Sequence, residues 1–196
     1  IASGEVGAQR LNALCDAHGL DDIDDLSDEI IRRSEDATRA TIRALQPGTH
    51  QAAATLDLAD GSVIEIRCAV TVDPELGEIT VDYAGSSGAS PAGINVVKNY
   101  THAYTTFAVR SVLNPEIPNN YGSLAPIKVE APEGSIVNAV SPAPCTARHV
   151  VGMFLPNALM KALAQLQPQQ AMAEGSGAVW TMQVSGRHDD GRPFIT

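Results

Sequence analysis

The chain has 196 residues, 44% of them apolar and 18% charged, with 13 Lys and Arg against 23 Asp and Glu for a formal net charge of −10. This composition excludes a disordered tail, a collagen-like repeat and a coiled coil. The acidic balance, with no clustered Lys or Arg, argues against nucleic acid and against anionic membrane surfaces.

A helix is expected from Ser3 to about His18, with Ser3 as N-cap and Gly19 as its left-handed stop. Before it, Ile1 to Glu5 lack the basic start of a signal peptide, and no run approaches the ~20 apolar residues of a membrane span. An acidic patch, Asp21, Asp22, Asp24, Asp25, Asp28 and Glu29, leads into a second helix. Ser27 is its expected cap, and Ile31, Thr38, Ile42 and Leu45 recur at helical spacing until Pro47-Gly48. The patch lacks the alternation and the glycine of a calcium loop, and reads as a solvated helix start.

The period then changes to two. Segments 49–58, 62–72 and 78–83 are rich in Val, Ile and Thr and form a three-stranded antiparallel meander. Asp60-Gly61 suits a tight type I′ turn between the first two strands. Gly85 to Asn95 is a loop of small residues. It precedes a helix from about Val96 to Leu113 with Asn95 as N-cap and Val97, Tyr100, Tyr104, Phe107 and Val112 in the core. Segment 114–122 is turn-rich, and 125–131 is a short strand. Pro142-Ala143-Pro144 marks extended chain. A helix from His149 to Leu166 is expected to kink near Pro156. A strand over 178–185 places Trp180 and Met182 in the core, and 187–192 reads as a charged hairpin turn.

Residues 1–48 therefore form a helical segment and 49–196 an α+β segment, together one domain of α+β class. The start on Ile1 and the strand-like ending Gly191 to Thr196 suggest a piece of a larger polypeptide.

Few residues carry chemistry by spacing alone. The five histidines, His18, His50, His102, His149 and His188, show no H-x-H or H-E-x-x-H pattern, so no metal site is expected within the chain. The Gly85–Asn95 loop resembles neither a Walker A loop nor G-x-G-x-x-G. It is either an anion cradle at a helix start or a flexible connection. Cys145-Thr146-Ala147-Arg148-His149 is the densest reactive run. Helical geometry would put Cys145 and His149 on one face as a nucleophile pair, but Pro142 and Pro144 argue for extended chain there. Arg148 beside His149 can clamp a carboxylate or amide oxygen bidentately. Cys15, Cys68 and Cys145 are far apart with no C-x-x-C, which fits a reducing cytoplasm better than a disulfide framework.

Several segments taken in order go further. They are Val81 to Ser87, Ala92-Gly93-Ile94-Asn95, Ile117-Pro118-Asn119-Asn120-Tyr121-Gly122-Ser123-Leu124-Ala125-Pro126-Ile127, Ala131 to Asn138, and Pro142-Ala143-Pro144-Cys145-Thr146-Ala147-Arg148-His149. Their order and spacing resemble the hydantoinase B / 5-oxoprolinase family over essentially the whole chain.

The resemblance implies a division of labour. A hydantoinase A-type partner uses ATP and Mg to phosphorylate a carbonyl oxygen of the substrate, and the B-type subunit acts on the activated intermediate. The outcome is opening of a hydantoin or 5-oxoproline-like ring. In the ketone carboxylase branch it is carbon–carbon bond formation with activated bicarbonate. The family pattern also holds an earlier Asp/His/Gly-rich segment associated with a divalent metal. Nothing in these residues matches it, so that metal is expected upstream, and the piece is expected to be inactive alone.

By motif position, Arg148 and His149 are the expected catalytic residues and Asn95 and Asp82 the expected substrate-binding ones. Arg148 would hold an oxyanion and His149 would move a proton. The competing reading is a structural or docking piece with all chemistry elsewhere.

Overall fold

The computed structural model describes residues 2–58, 60–177 and 184–195. In chain order they form α1 (Ala2–His18), α2 (Asp24–Arg43), β1 (Gly48–Asp57), β2 (Val63–Asp73) and β3 (Glu78–Asp82). Then come α3 (Lys98–Leu113), α4 (Tyr121–Leu124), β4 (Ile127–Glu130), α5 (His149–Gly152), α6 (Phe154–Leu166), β5 (Ser185–Arg187) and β6 (Pro193–Ile195). The class is α+β.

The period-two segments form the expected meander. β1 pairs antiparallel with β2 from Gly48–Val72 to Asp57–Val63, and β2 pairs antiparallel with β3 from Ala69–Asp82 to Asp73–Glu78. β4 extends the sheet on the far side of β3, but parallel to it, Ile79 facing Ile127 and Asp82 facing Glu130. Parallel neighbours need a crossover. Here residues 83–126, including α3 and α4, supply it.

Alternation sorts the strand residues. Ile64, Ile66, Cys68, Val70, Val72, Ile79 and Val81 face the core, while Arg67 and Thr71 face solvent. Against the apolar face pack Ala108, Val109 and Val112 of α3 and Leu155, Ala158, Leu159, Ala162 and Leu163 of α6. Side chains of α6 also reach the edge of β1. Gln165 Nε2 donates to the Gln51 carbonyl at 2.9 Å and Lys161 Nζ to the Ala53 carbonyl at 3.3 Å.

Several local expectations change. Ser3 lies inside α1 rather than capping it. Gly19 does stop α1: its φ is +62°, Leu20 N–H donates to the Cys15 carbonyl and Gly19 N–H to the Asp16 carbonyl, a Schellman motif. Ser27 is not the cap of α2, because the helix starts at Asp24. The Asp22 carboxylate takes the Asp24 N–H at 2.9 Å instead.

The β1–β2 connection is longer than a two-residue turn. Leu58 N–H donates to the Ser62 carbonyl, Gly61 N–H donates to the Leu58 carbonyl and Gly61 has φ +84°. Glycine's left-handed tolerance is used at a third loop position, not in a type I′ pair. The last long helix breaks at Met153, three residues before Pro156. Pro156 then sits in the first turn of α6, where its missing N–H costs no bond.

The 187–192 turn joins β5 to β6, closed by His188 N–H to the Arg192 carbonyl at 2.9 Å. Trp180 and Met182 lie outside the described residues. No helix among the described residues is long and apolar enough to cross a membrane.

Candidate functional site

The loop between β3 and α3 is tied to the rest of the fold by several of its N–H groups. Ser87 N–H donates to the Glu65 carbonyl, Ala89 N–H to Gly134 and Val96 N–H to Ile136. Asn95 explains the closure. It is 0% exposed and does not cap α3, whose N-cap is Val97. Its Oδ1 accepts from Ser90 N–H at 2.7 Å. Its Nδ2 donates to the carbonyls of Ser90, Ala92 and Pro144 at 2.8, 3.1 and 2.8 Å. A side chain so saturated and enclosed offers nothing to a substrate. It staples the loop to the Pro-rich segment that leads to Arg148. Ala147 N–H, donating to the Gly93 carbonyl at 2.6 Å, is a second staple.

Beyond the staples the chain turns. Arg148 N–H donates to the Cys145 carbonyl at 3.2 Å, and α5 begins at His149. Cys145 is therefore not helical, and its Sγ–H points to the Ala143 carbonyl at 3.5 Å. The geometry of a Cys145–His149 nucleophile pair does not form.

Arg148 is exposed, and no carboxylate among the described residues lies within ion-pair reach of it. Its guanidinium carbon lies over the Tyr100 ring, 5.7 Å from the centroid, a cation–π arrangement. Tyr100 in turn stacks on Tyr104, centroids 4.8 Å apart and planes 20° apart, one helical turn along α3. The Tyr100 hydroxyl donates to the Tyr104 hydroxyl at 3.2 Å. That bond holds the Tyr100 phenol above its ordinary range, with a smaller rise from burial, against the opposing pull of Arg148. Gly152 completes the packing. A Cβ there would stand 2.5 Å from Tyr100 Cε1, so only glycine lets α5 come this near the ring.

His149 is exposed and lines a cavity of about 340 Å³ with Leu56, Val150, Met153, Phe154 and Gly177. Asp82 is elsewhere. Its carboxylate accepts from Ala84 N–H at 2.8 Å, and it borders a hollow of about 390 Å³ with Gln51, Ala53, Arg67 and Ala69. Arg148 and His149 are neighbours in the chain, but Arg148 lies over Tyr100 while His149 lines a separate cavity; Asn95 braces the segment before them and Asp82 borders a different hollow. Sequence reasoning assigns Tyr100 and Tyr104 to the core and passes over Gly152. Their signals are the i, i+4 spacing of the tyrosines and a glycine three residues after His149. Among the described residues no group of three His, Cys, Asp or Glu converges.

Comparison with known proteins gives a consistent picture. The sequence pattern of the family described as Hydantoinase B/oxoprolinase matches residues 1–196. A curated relative, the B-type subunit of a putative D-/L-hydantoinase from Pseudomonas sp. (strain NS671), is 32% identical over 201 residues, covering 97% of this chain and 34% of the relative. The fold is similar to that of the ATP-dependent caprolactamase from Pseudomonas jessenii, with TM-score 0.75, 24% identity and coverage of 85% of this chain and 29% of that one. It is also similar to nucleotide-free acetone carboxylase, with TM-score 0.70, 16% identity and coverage of 83% and 24%. The chain thus spans about a third of the length of the relative it matches.

Proposed function

Because the chain belongs to the Hydantoinase B/oxoprolinase family, whose pattern covers residues 1–196, we propose that it is part of the B-type subunit of an ATP-dependent cyclic amidohydrolase opening hydantoin or 5-oxoproline-like rings. The family match over the whole chain carries this reading. The putative D-/L-hydantoinase relative supports it.

The chemistry explains why ATP is needed. An amide carbonyl is a poor electrophile, and a phosphate ester on its oxygen supplies a good leaving group. A hydantoinase A-type ATPase partner, holding ATP and Mg, supplies that group, and the complex works in the reducing cytoplasm. A divalent metal belongs to a part of the polypeptide upstream of these residues.

Within this chain Arg148 binds an anionic oxygen, through a planar fork suited to carboxylate and phosphate. His149, at the mouth of an apolar-walled cavity, serves as general acid or base. Asn95 positions this pair through Pro144 instead of touching substrate.

The test is an ATP-dependent assay of the complete enzyme on hydantoin and 5-oxoproline, with acetone plus bicarbonate as a control. Ring opening is the expected result. Carboxylation of acetone alone would move the chain to the carboxylase branch. Arg148→Ala is expected to lower kcat/KM about a hundredfold with an unchanged melting temperature. Unchanged turnover would remove Arg148 from the site.

A further inference from the structure

We propose that Tyr100 is the positioning residue for Arg148, holding its guanidinium in a subsite for an anionic oxygen group of the substrate. This rests on the reading of Arg148 as substrate-binding and names what that arm is built from.

Arg148 differs from the arginines of the chain that are held by carboxylates. Arg32, Arg33, Arg39, Arg67 and Arg192 each hold a carboxylate. Arg148 is held by an aromatic face and a distant backbone carbonyl, Nη1 to the Cys145 oxygen at 3.5 Å. A ring face steadies a guanidinium without consuming its in-plane N–H groups, which carboxylate partners do consume. The arm is thus ordered and still has its donors to give.

No carboxylate among the described residues lies within ion-pair reach of Arg148 to oppose an anion there.

The ring is also clamped. Gly152 abuts one edge, and the Tyr104 stack fixes its plane. A guanidinium with in-plane donors to give recognises a carboxylate or a phosphoryl group. Both occur in the proposed reaction, since 5-oxoproline bears a carboxylate and ATP activation adds a phosphoryl group.

The test is calorimetric titration of the complete B-type subunit, without ATP, with inorganic phosphate and separately with acetate. Saturable binding of at least one anion is expected for the wild type. Tighter phosphate assigns the subsite to the phosphoryl group, and tighter acetate to the substrate carboxylate. Arg148→Ala is expected to weaken binding about tenfold. Tyr100→Leu and Gly152→Ala remove or displace the ring and are expected to weaken it about three- to fivefold. Tyr100→Phe keeps the ring face and should stay within about twofold of the wild type. This rescue is a result that a merely structural role for the hydroxyl network would not give. Should Tyr100→Leu fail to fold, the contrast between Gly152→Ala and Tyr100→Phe carries the same information.

No binding to the wild type, full binding by Arg148→Ala, or equal loss in Tyr100→Phe and Gly152→Ala overturns the proposal. The titration needs no turnover. Failure of the ring-opening assay with successful titrations removes the proposed reaction and leaves the subsite standing. The reverse result removes the subsite alone.

Discussion

Cys68 lies on the core face of β2, and burial pushes its thiol up to about 12 from an ordinary 9.0. Tyr83, completely buried and bonded to Thr105 Oγ1 at 2.7 Å, is raised by burial in the same direction. Both are neutral acids whose folded pKa exceeds the unfolded one. Their contribution to stability is therefore complete below pH 9 and is lost as pH rises toward about 12. The melting temperature should fall steadily above pH 9, and Cys68→Val should make that fall shallower. Iodoacetamide should modify the half-buried Cys15 and Cys145 in the native protein and reach Cys68 only on unfolding.

Gly122 gives a second prediction at this scale. A Cβ there would fall 1.9 Å from the Ile31 carbonyl oxygen. Gly122→Ala should cost about 2–3 kcal/mol in denaturant unfolding, since the helices must separate to admit it. That α5 begins at His149, just after a proline-rich stretch, was legible in the sequence. The work of Gly122, Gly152 and Tyr100 was not legible. Each depends on a partner distant in the chain, and a tyrosine at helical spacing reads equally well as core.

Elements join through polar links as well as apolar faces. Asn120 caps α4 by accepting Ser123 N–H at 3.2 Å, and its Nδ2 donates to Ser34 Oγ on α2 at 2.7 Å. Asn114 Nδ2 donates to Thr38 Oγ1 at 2.9 Å, further along the same buried stripe of α2. Asn120→Ala removes a cap and leaves the buried Ser34 hydroxyl with one partner fewer, and should cost about 1–2 kcal/mol by thermal unfolding. The meander was legible because period two and a turn glycine are local signals. The parallel pairing of β4 was not, because its partner lies across residues 83–126 and no local pattern encodes direction. Helix starts depart from expectation where a serine is the obvious cap. Asp22 does that work for α2, two residues before the helix begins.

At the scale of the whole molecule, stability is concentrated unevenly. Ile42, Leu155, Leu159 and Leu163 are among the completely buried side chains. In contrast residues 3–18 of α1 are exposed, with only Cys15 among them partly covered and Val6, Leu11 and Leu14 facing outward. Amide hydrogen exchange of the 196-residue chain should show α1 opening first and β2 and α6 last. Equal protection of α1 and α6 would contradict this distribution.

The contacts from α6 to β1 have a consequence of another kind. β1 is an outer strand of the sheet. Its pairing to β2 passes through the even-numbered positions, as the Leu58–Ser62 bond shows, so the Gln51 and Ala53 carbonyls point away from the sheet. These are the acceptors a foreign strand would need to polymerise onto this edge. Gln165 and Lys161 occupy them. These two long polar side chains therefore act as guards against fibril growth. A Lys161→Ala, Gln165→Ala double variant should melt near the wild-type temperature yet bind thioflavin T after a shorter lag.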